Sequence, residues 1–399
     1  MPSNDRILIS GASIAGLTLA HWLARYGFRP TVVERAPGLR SGGNGVDLRD
    51  HAIEVAERMG IMERVRAAAT DVVGIRFVNA EDRTVARIDT RVDDGVEIMR
   101  GDLVPLLREA AGDGVEYVFG DSVTALRQSE DGVDVTFERG PARRFGLVIG
   151  ADGLHSNVRR LAFGPESRFL QYKGHCFAFA DADAALGEDR WVTMYNLPGR
   201  MAGIYRSGNH AQAKAYFIFR SDEPIAADHR DVGRQKRLIS DAFAADSSWW
   251  TADLLAAAVA DPEFYFDALS QVRMESWSTG RVALVGDAAF CASPASGAGA
   301  ELALVGAYRL AGELAAAGGD HGLAFHRYEQ GHRALVKEKQ QIGFNVALMV
   351  PRTRTARWVR NALFRLPLMR VMAAVGRATG AGGSRRPLPG YPDAIVEAN

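Results

Sequence analysis

Residues 6–16 read Arg6-Ile7-Leu8-Ile9-Ser10-Gly11-Ala12-Ser13-Ile14-Ala15-Gly16, and the fold is decided there. The apolar run Ile7-Leu8-Ile9 has the character of a buried parallel strand, and the glycine-rich turn after it opens a helix. Leu17, Ala20, His21, Leu23 and Ala24 recur at helical spacing, and Gly27 stops the helix. Thr31-Val32-Val33 predicts a second strand with Glu34 at its carboxyl end. This is a βαβ unit with an acidic residue about 20 positions past the glycines, the layout that binds a dinucleotide. The physical reason is that a helix N-terminus presents free N–H groups and a positive dipole end to a pyrophosphate, while the carboxylate accepts hydrogen bonds from a ribose.

Ser13 stands where G-x-G-x-x-G has its middle glycine. Serine is small and its hydroxyl can donate to a phosphate, so the pattern survives. Two rival readings are an ordinary unliganded α/β turn and a serine nucleophile elbow, since Gly11-Ala12-Ser13-Ile14-Ala15 nearly fits G-x-S-x-G. The elbow is disfavoured, because it would sit on the wrong strand and no acid and histidine follow in a matching context.

The composition narrows the class. A chain of 399 residues can bury a large core and divide into two domains. Its 48 basic and 48 acidic residues cancel, so no global field recruits nucleic acid or an anionic membrane. Cys176 and Cys291 lie far apart and form no metal pattern, and none of the nine histidines falls in H-E-x-x-H; no metal site is expected. The polar start Met1–Arg6 runs straight into the first strand, no signal peptide is read, and no apolar stretch has the length of a membrane span. These features fit a reducing compartment, and a cytoplasmic protein is expected.

Further along, Arg35–Arg49 is a glycine-rich loop, suggesting close backbone approach to something bulky. His51–Met59 predicts an amphipathic helix, and Val72–Thr90 alternates as a hairpin around Glu81-Asp82-Arg83. A helix is expected over Leu103–Ala111 with Asp102 as its N-cap. Strands are expected at Val115–Gly120 and Val133–Glu138, the second entered through the turn Glu130-Asp131-Gly132. A third, Leu147-Val148-Ile149, enters the turn Gly150–Arg159. From Cys176 to Met274 the pattern becomes β-rich, interrupted by helices near Asp231–Ala244 and Asp253–Ala258. The aromatics there, among them Tyr195, Tyr205, Phe217, Phe219, Tyr265 and Phe266, read as core and as pocket wall. The α/β texture returns with Gly280–Ala289, and Pro294–Glu301 opens a helix to Leu314, followed by another over Gly322–Phe344. Val346–Ala381 is arginine-rich and amphipathic, with breaks at Pro351 and Pro367; packing on its own domain is expected, with binding to a membrane surface as the disfavoured alternative. Ser384–Asn399 reads as a loose tail.

Three of these segments, far apart in the chain, together resemble the FAD-dependent class A aromatic hydroxylases, the para-hydroxybenzoate hydroxylase fold. Gly11, Ser13, Ile14, Ala15 and Gly16, with Glu34 and Arg35, look like the family's ADP-binding unit. Gly150-Ala151-Asp152-Gly153 with Ser156 and Arg159 resembles the motif that touches FAD and the nicotinamide donor. Gly286-Asp287-Ala288-Ala289 with Pro294, Gly297, Ala298, Gly299 and Ala300 resembles the motif that holds the flavin ribitol and ring. Arg40, Gly43 and Arg100 sit where the family places further FAD contacts. The resemblance runs over residues 1–345, and its Gly42–Asp47, Met99–Leu103 and Tyr216–Ser221 segments look most like the tetracycline-inactivating and polyketide-tailoring branch.

The resemblance implies an α/β fold: a Rossmann-like FAD-binding domain (1–71, 99–175 and 276–345), an inserted mixed β-sheet substrate domain (72–98 and 176–275), a C-terminal helical segment (346–383) and a tail (384–399). It implies NADPH or NADH as electron donor, O2 as co-substrate, oxygen addition at the flavin C4a carbon, and delivery of one oxygen atom to an aromatic or polyketide-like substrate, by hydroxylation or Baeyer-Villiger reaction. Catalysis is then flavin-borne and no protein nucleophile is named; Arg206 and His175 are candidates by position alone. Assembly as monomer or homodimer is expected. The family's Gly-Gln-Gly-x-Asn is here Gly297-Ala298-Gly299-Ala300-Glu301, which is expected to place Glu301 near the flavin pyrimidine edge, where it would disfavour the reduced anion. A flavin reductase without oxygen insertion and a ligand-sequestering flavoprotein are the alternatives; a halogenase lacks its W-x-W-x-I-P segment.

Overall fold

The computed structural model describes residues 5–40, 42–89, 95–211, 213–223, 231–341, 345–365 and 387–391. The expected first strand is Arg6–Ser10, fully buried from Ile7 onward, and it lies at the centre of a six-stranded sheet. On one side it pairs in parallel with Arg29–Glu34, then Glu116–Phe119. On the other it pairs in parallel with Leu147–Gly150, then Val282–Leu284. Successive connections therefore leave Arg6–Ser10 in opposite directions, and the crevice at its carboxyl end is the position where such sheets bind ligands. Glycines close the structure around it. A Cβ on Gly16 would lie 1.9 Å from the Gly11 carbonyl oxygen, so the helix Ile14–Arg25 can pack tightly on the turn only as it stands. The helix Gly299–Ala316, apolar on nearly every face, is buried and packs against Ile14–Arg25.

A seven-stranded sheet stands beside this core, in the order Tyr265–Val272, Leu170–Ala182, Ala213–Arg220, Arg200–Tyr205, Trp191–Leu197, Gly74–Val78, Thr84–Asp89. Its far face is covered by the helices Val232–Phe243 and Thr251–Ala260, which bury Phe217, Phe219 and Phe266. The hairpin Gly74–Val78 with Thr84–Asp89 joins it by a parallel pairing to Trp191–Leu197, so residues 117 apart in sequence, such as Gly74 and Trp191, pair in one sheet.

The structure corrects several expectations. The glycine-rich loop contains a strand, Gly45–Leu48, paired antiparallel with Val96–Met99; alternation was masked there by glycines. Asp102 is not an N-cap. The helix begins at Arg100 behind Met99, and the Asp102 carboxylate instead meets His210 Nε2 at 3.1 Å. The turn at Glu130–Gly132 does make a hairpin, with Val123–Ser129 as the arm that the pattern concealed. The tail is not loose throughout. Leu388 is buried, the Tyr391 hydroxyl donates to Glu313 at 2.8 Å, and the Tyr391 ring fills the space left by Gly312. Of the expected C-terminal helical segment, Asn345–Met349 and Arg354–Arg365 are helices; residues 366–386 lie outside the described residues. Among the described residues no helix is long and apolar enough to cross a membrane.

Candidate active site

Glu34 ends the second strand with both carboxylate oxygens fixed. Ala12 N–H donates to Oε2 and Ala36 N–H to Oε1, each at 2.9 Å. The same glutamate thus sets the mouth of the turn that precedes the helix. In that turn Gly11 adopts φ +110, and a Cβ there would meet the Ala151 carbonyl oxygen at 2.5 Å; glycine is required. Ser13 is different. Its φ of −122 is ordinary extended backbone, so the missing middle glycine costs nothing in conformation. Its hydroxyl makes no cap with its own helix and instead accepts a hydrogen bond from the Arg100 guanidinium at 3.0 Å.

Arg100 is the hub of the crevice. It is largely buried, and Arg40, Glu34, Tyr265 and Asp287 all act on it electrostatically. Burial first, and repulsion from Arg40 second, hold its guanidinium below the usual arginine range. Two cations kept close, at the open N-terminus of a helix, form an arrangement that a pyrophosphate relieves. Gly43 lets this approach occur, since a Cβ there would be 3.0 Å from the Arg100 Cβ. Arg35 and Arg40 are exposed.

The third motif contributes the other wall. Gly286 has φ +66, and Asp287 begins a short helix, Asp287–Phe290, whose carboxylate is reached by solvent although it lies deep in the molecule. This combination marks a side chain that lines an interior cleft. Burial raises the Asp287 carboxyl above its usual range, against a thiol hydrogen bond from Cys291 and the charge of Arg100, which favour the ionised form. Gly297 takes the left-handed conformation, φ +65, before the helix Gly299–Ala316, and Pro294, Gly297 and Gly299 are exposed. Ala298 and Ala300 are buried. The N–H groups of that first turn have no acceptor within their own helix, as at any helix start. Glu301 does not face the cleft as expected. It is 3 % exposed and its Oε2 pairs with Lys339 at 3.0 Å, so the nearby cation offsets its charge.

Asp152 and Arg159 are placed as framework. The Asp152 carboxylate accepts from Asn157 N–H at 3.0 Å and Val158 N–H at 3.1 Å, and from the Ser10 and Ser156 hydroxyls. It thereby fastens the first strand to the start of the helix Asn157–Phe163. Arg159 is fully buried; it donates to the carbonyls of Ala288 at 2.9 Å and Leu154 at 2.6 Å, and to Glu166 at 3.2 Å. It reaches the cleft only through the two backbone segments that it joins. His155, between them, bridges Glu166 at 3.1 Å and Asp267 at 3.2 Å. Burial works to lower its pKa, but the two carboxylates outweigh burial and lift it to about 9. A raised folded-state value gives stability that is fully present below the unfolded value near 6.5 and lost as pH rises through about 9. The thermal midpoint should therefore fall between pH 6.5 and 9, and His155→Gln should flatten that slope, a contribution on the order of 2 kcal/mol. An unchanged slope in the variant, followed by scanning calorimetry, would discard the assignment.

The seven-stranded sheet turns Phe177, Phe179, Tyr216 and Tyr265 toward this cleft, where they pack with Leu269, Ala295 and Val346. Phe179 stacks on Tyr265 at 4.8 Å, and the Tyr216 hydroxyl donates to Asn44 at 3.1 Å. Of the aromatics singled out in the sequence, only Tyr265 is in this cluster; Phe217, Phe219 and Phe266 are on the opposite face. Strand alternation carried the missing signal: Phe177 and Phe179 share a face, and Phe179 is registered opposite Tyr216. His175 hydrogen-bonds its neighbour Lys173, and Arg206 pairs with Asp189 at 3.4 Å; both have structural partners.

Residues 5–338 match the FAD binding domain family. The chain belongs to that family. An uncharacterized protein of Mycobacterium tuberculosis is 44% identical over 341 residues, 84% of this chain and 91% of the relative. A flavin-dependent monooxygenase of Legionella longbeachae is 37% identical over 348 residues, 86% of this chain and 89% of its own. The crystal structure of tetracycline destructase Tet(55) superposes with a TM-score of 0.81 at 35% identity, covering 98% of this chain and all of that one. The protein is an FAD-dependent monooxygenase. Its cleft fits the cofactor: the largely buried Arg100 guanidinium with the exposed Arg40 acting on it at a helix N-terminus, a carboxylate exposed inside the molecule, and glycines that leave no room for a Cβ.

Proposed function

We propose that this monooxygenase consumes NADPH or NADH and O2 and inserts one oxygen atom into a flat aromatic or polycyclic, polyketide-like substrate, returning the other as water. The observation that carries this reading is the aromatic wall of Phe177, Phe179, Tyr216 and Tyr265, which packs directly against Ala295 of the flavin motif. Stacked rings hold a planar substrate by area and by quadrupole geometry, without requiring a charge on it. The naming of Tet(55) as a tetracycline destructase makes a tetracycline the first substrate to test.

In this reading Gly11, Ser13, Ile14, Ala15 and Gly16 present the helix N-terminus to the pyrophosphate. Arg100 and Arg40 neutralise it, with Gly43 giving Arg100 room, and Glu34 and Arg35 hold the adenosine end. Gly286 and Asp287 take the ribitol, and Pro294, Gly297, Ala298, Gly299 and Ala300 lay a helix start beside the ring, favouring negative charge there. Asp152 and Arg159 keep these walls in register. Bound FAD supplies the redox chemistry that divides O2 between substrate and water. The protein's part is to orient, to exclude water and to hold the substrate ring over the flavin motif.

The test is the visible spectrum of the purified protein, then NADPH oxidation with and without a tetracycline, with mass spectrometry of the product. Stimulated oxidation and a product heavier by one oxygen atom support the proposal. Oxidation without any oxygenated product would favour a reductase, and ligand binding without oxidation a sequestering flavoprotein. Phe179→Ala should raise the KM for the substrate about tenfold through lost stacking area, with the unstimulated NADPH oxidation unchanged. An unaltered KM would place the substrate elsewhere.

A further inference from the structure

The chain's charge balance is uneven along its length. Between Lys339 and Asp393 there are nine arginines and no acidic residue, which leaves the rest of the chain nine charges negative. Within this stretch the helix Arg354–Arg365 has two faces. Its inner face is anchored: Arg360 donates to Asn196 Oδ1 at 2.9 Å and to the Leu348 carbonyl at 3.0 Å, and lies over the Phe77 ring at 4.1 Å. Its outer face carries Thr355, Trp358, Val359, Ala362 and Leu363, the i, i+3, i+4, i+7, i+8 stripe that a helix normally buries. Here the stripe is open. Trp358 is 71% exposed, Val359 43% and Leu363 44%, three of the seven exposed large hydrophobic side chains among the described residues. Exposed Arg352 and Arg354 stand at the start of the same helix.

A tryptophan-bearing apolar stripe in a stretch of chain whose only charged residues are arginines matches the chemistry of a helix lying in a lipid–water interface. A second copy of the chain fits less well. A symmetric contact through this face would bring arginine against arginine with no carboxylate in the stretch to separate them. We propose that the helix Arg354–Arg365 docks this monooxygenase on an anionic bilayer, with Trp358, Val359 and Leu363 among the acyl chains and Arg352 and Arg354 on headgroup phosphates. Arg357 and Arg360 take no part in lipid contact, because their side chains hold the helix to Asn196. The docking requires both terms: apolar insertion for depth and cationic attraction for preference, the second weakening with salt.

The experiment is co-sedimentation of the full FAD-loaded chain with vesicles of phosphatidylcholine alone, or with about a third phosphatidylglycerol. Binding about tenfold stronger to the anionic vesicles, and released by high salt, is expected. Trp358→Ser with Leu363→Ser, and separately Arg352→Glu with Arg354→Glu, should each weaken it about tenfold while the flavin spectrum and melting temperature are retained. Failure to sediment with either vesicle, equal sedimentation with both, or unchanged binding by the Trp358/Leu363 variant would overturn the proposal. So would a concentration-dependent dimer that this variant dissociates, which would make a second copy the occupant.

Discussion

Gly11→Ala is expected to yield a colourless protein. The added methyl would sit 2.5 Å from the Ala151 carbonyl oxygen and 2.9 Å from its carbon, and both belong to backbone that cannot rotate away. The φ of +110 is itself costly for alanine. The two effects should destabilise the fold by about 2–4 kcal/mol. Relief requires moving the Gly11 turn away from Ala151, and that movement opens the junction between the first and second motifs of the cofactor cleft. FAD affinity should fall about 100-fold, since the displaced N–H groups and Arg100 no longer converge. Gly27→Ala is the control. Gly27 also has positive φ, +84, but a Cβ there meets nothing within 4 Å, so this variant should lose only about 1 kcal/mol and remain yellow. Flavin fluorescence titration and thermal melts of both variants decide the matter. A yellow Gly11→Ala protein with wild-type affinity would show that the close approach to Ala151 is not what shapes the cleft.

The βαβ unit was legible because its signals are local. Ile7–Ile9, Gly11, Gly16, Gly27 and Glu34 each act on neighbours in the same short segment, and the structure places the two strands side by side. Ser13 looked like a flaw in the pattern only because a motif records a residue type and not a dihedral angle; at φ −122 no glycine is needed. What the sequence could not reveal is which atoms of a motif residue are already engaged. Asp152 and Arg159 carry the family pattern, yet their side chains are used up on Ser10, Asn157, Leu154 and Ala288, partners as far as 142 residues away in sequence. Glu301 likewise appeared uncompensated until the helix His321–Lys339 brought Lys339 to it. The aromatic wall stayed hidden for a related reason: whether Phe177 or Phe217 faces the cleft depends on which face of the sheet the helices Val232–Phe243 and Thr251–Ala260 cover.

Arg159→Met separates a framework role from a cofactor contact, and its expected effect is on stability. The guanidinium is fully buried and holds two carbonyls and a carboxylate. Burial depresses its pKa, and the charges of Glu166 and Asp152 act against that, so the cation is retained only with its partners in place. Methionine fills the space but leaves the Leu154 and Ala288 carbonyls without their donor and removes the cation from Glu166. Breaking a buried, hydrogen-bonded charge in this way costs about 3–5 kcal/mol. The apo-protein should therefore melt well below wild type, and the remaining folded fraction should still bind FAD to within about tenfold, because the residue does not face the cleft. Arg100→Met should do the reverse. Removing a largely buried cation that Arg40 repels should leave the apo-protein as stable as before, or more so, while FAD affinity drops about 100-fold with the loss of a charge-assisted contact to the pyrophosphate. Apo-protein melts and FAD titrations on the same two samples give four numbers that must cross over. If Arg159→Met melts like wild type in the apo form and loses FAD instead, Arg159 contacts the cofactor directly, and the second motif is a binding loop and not the brace that joins the first and third.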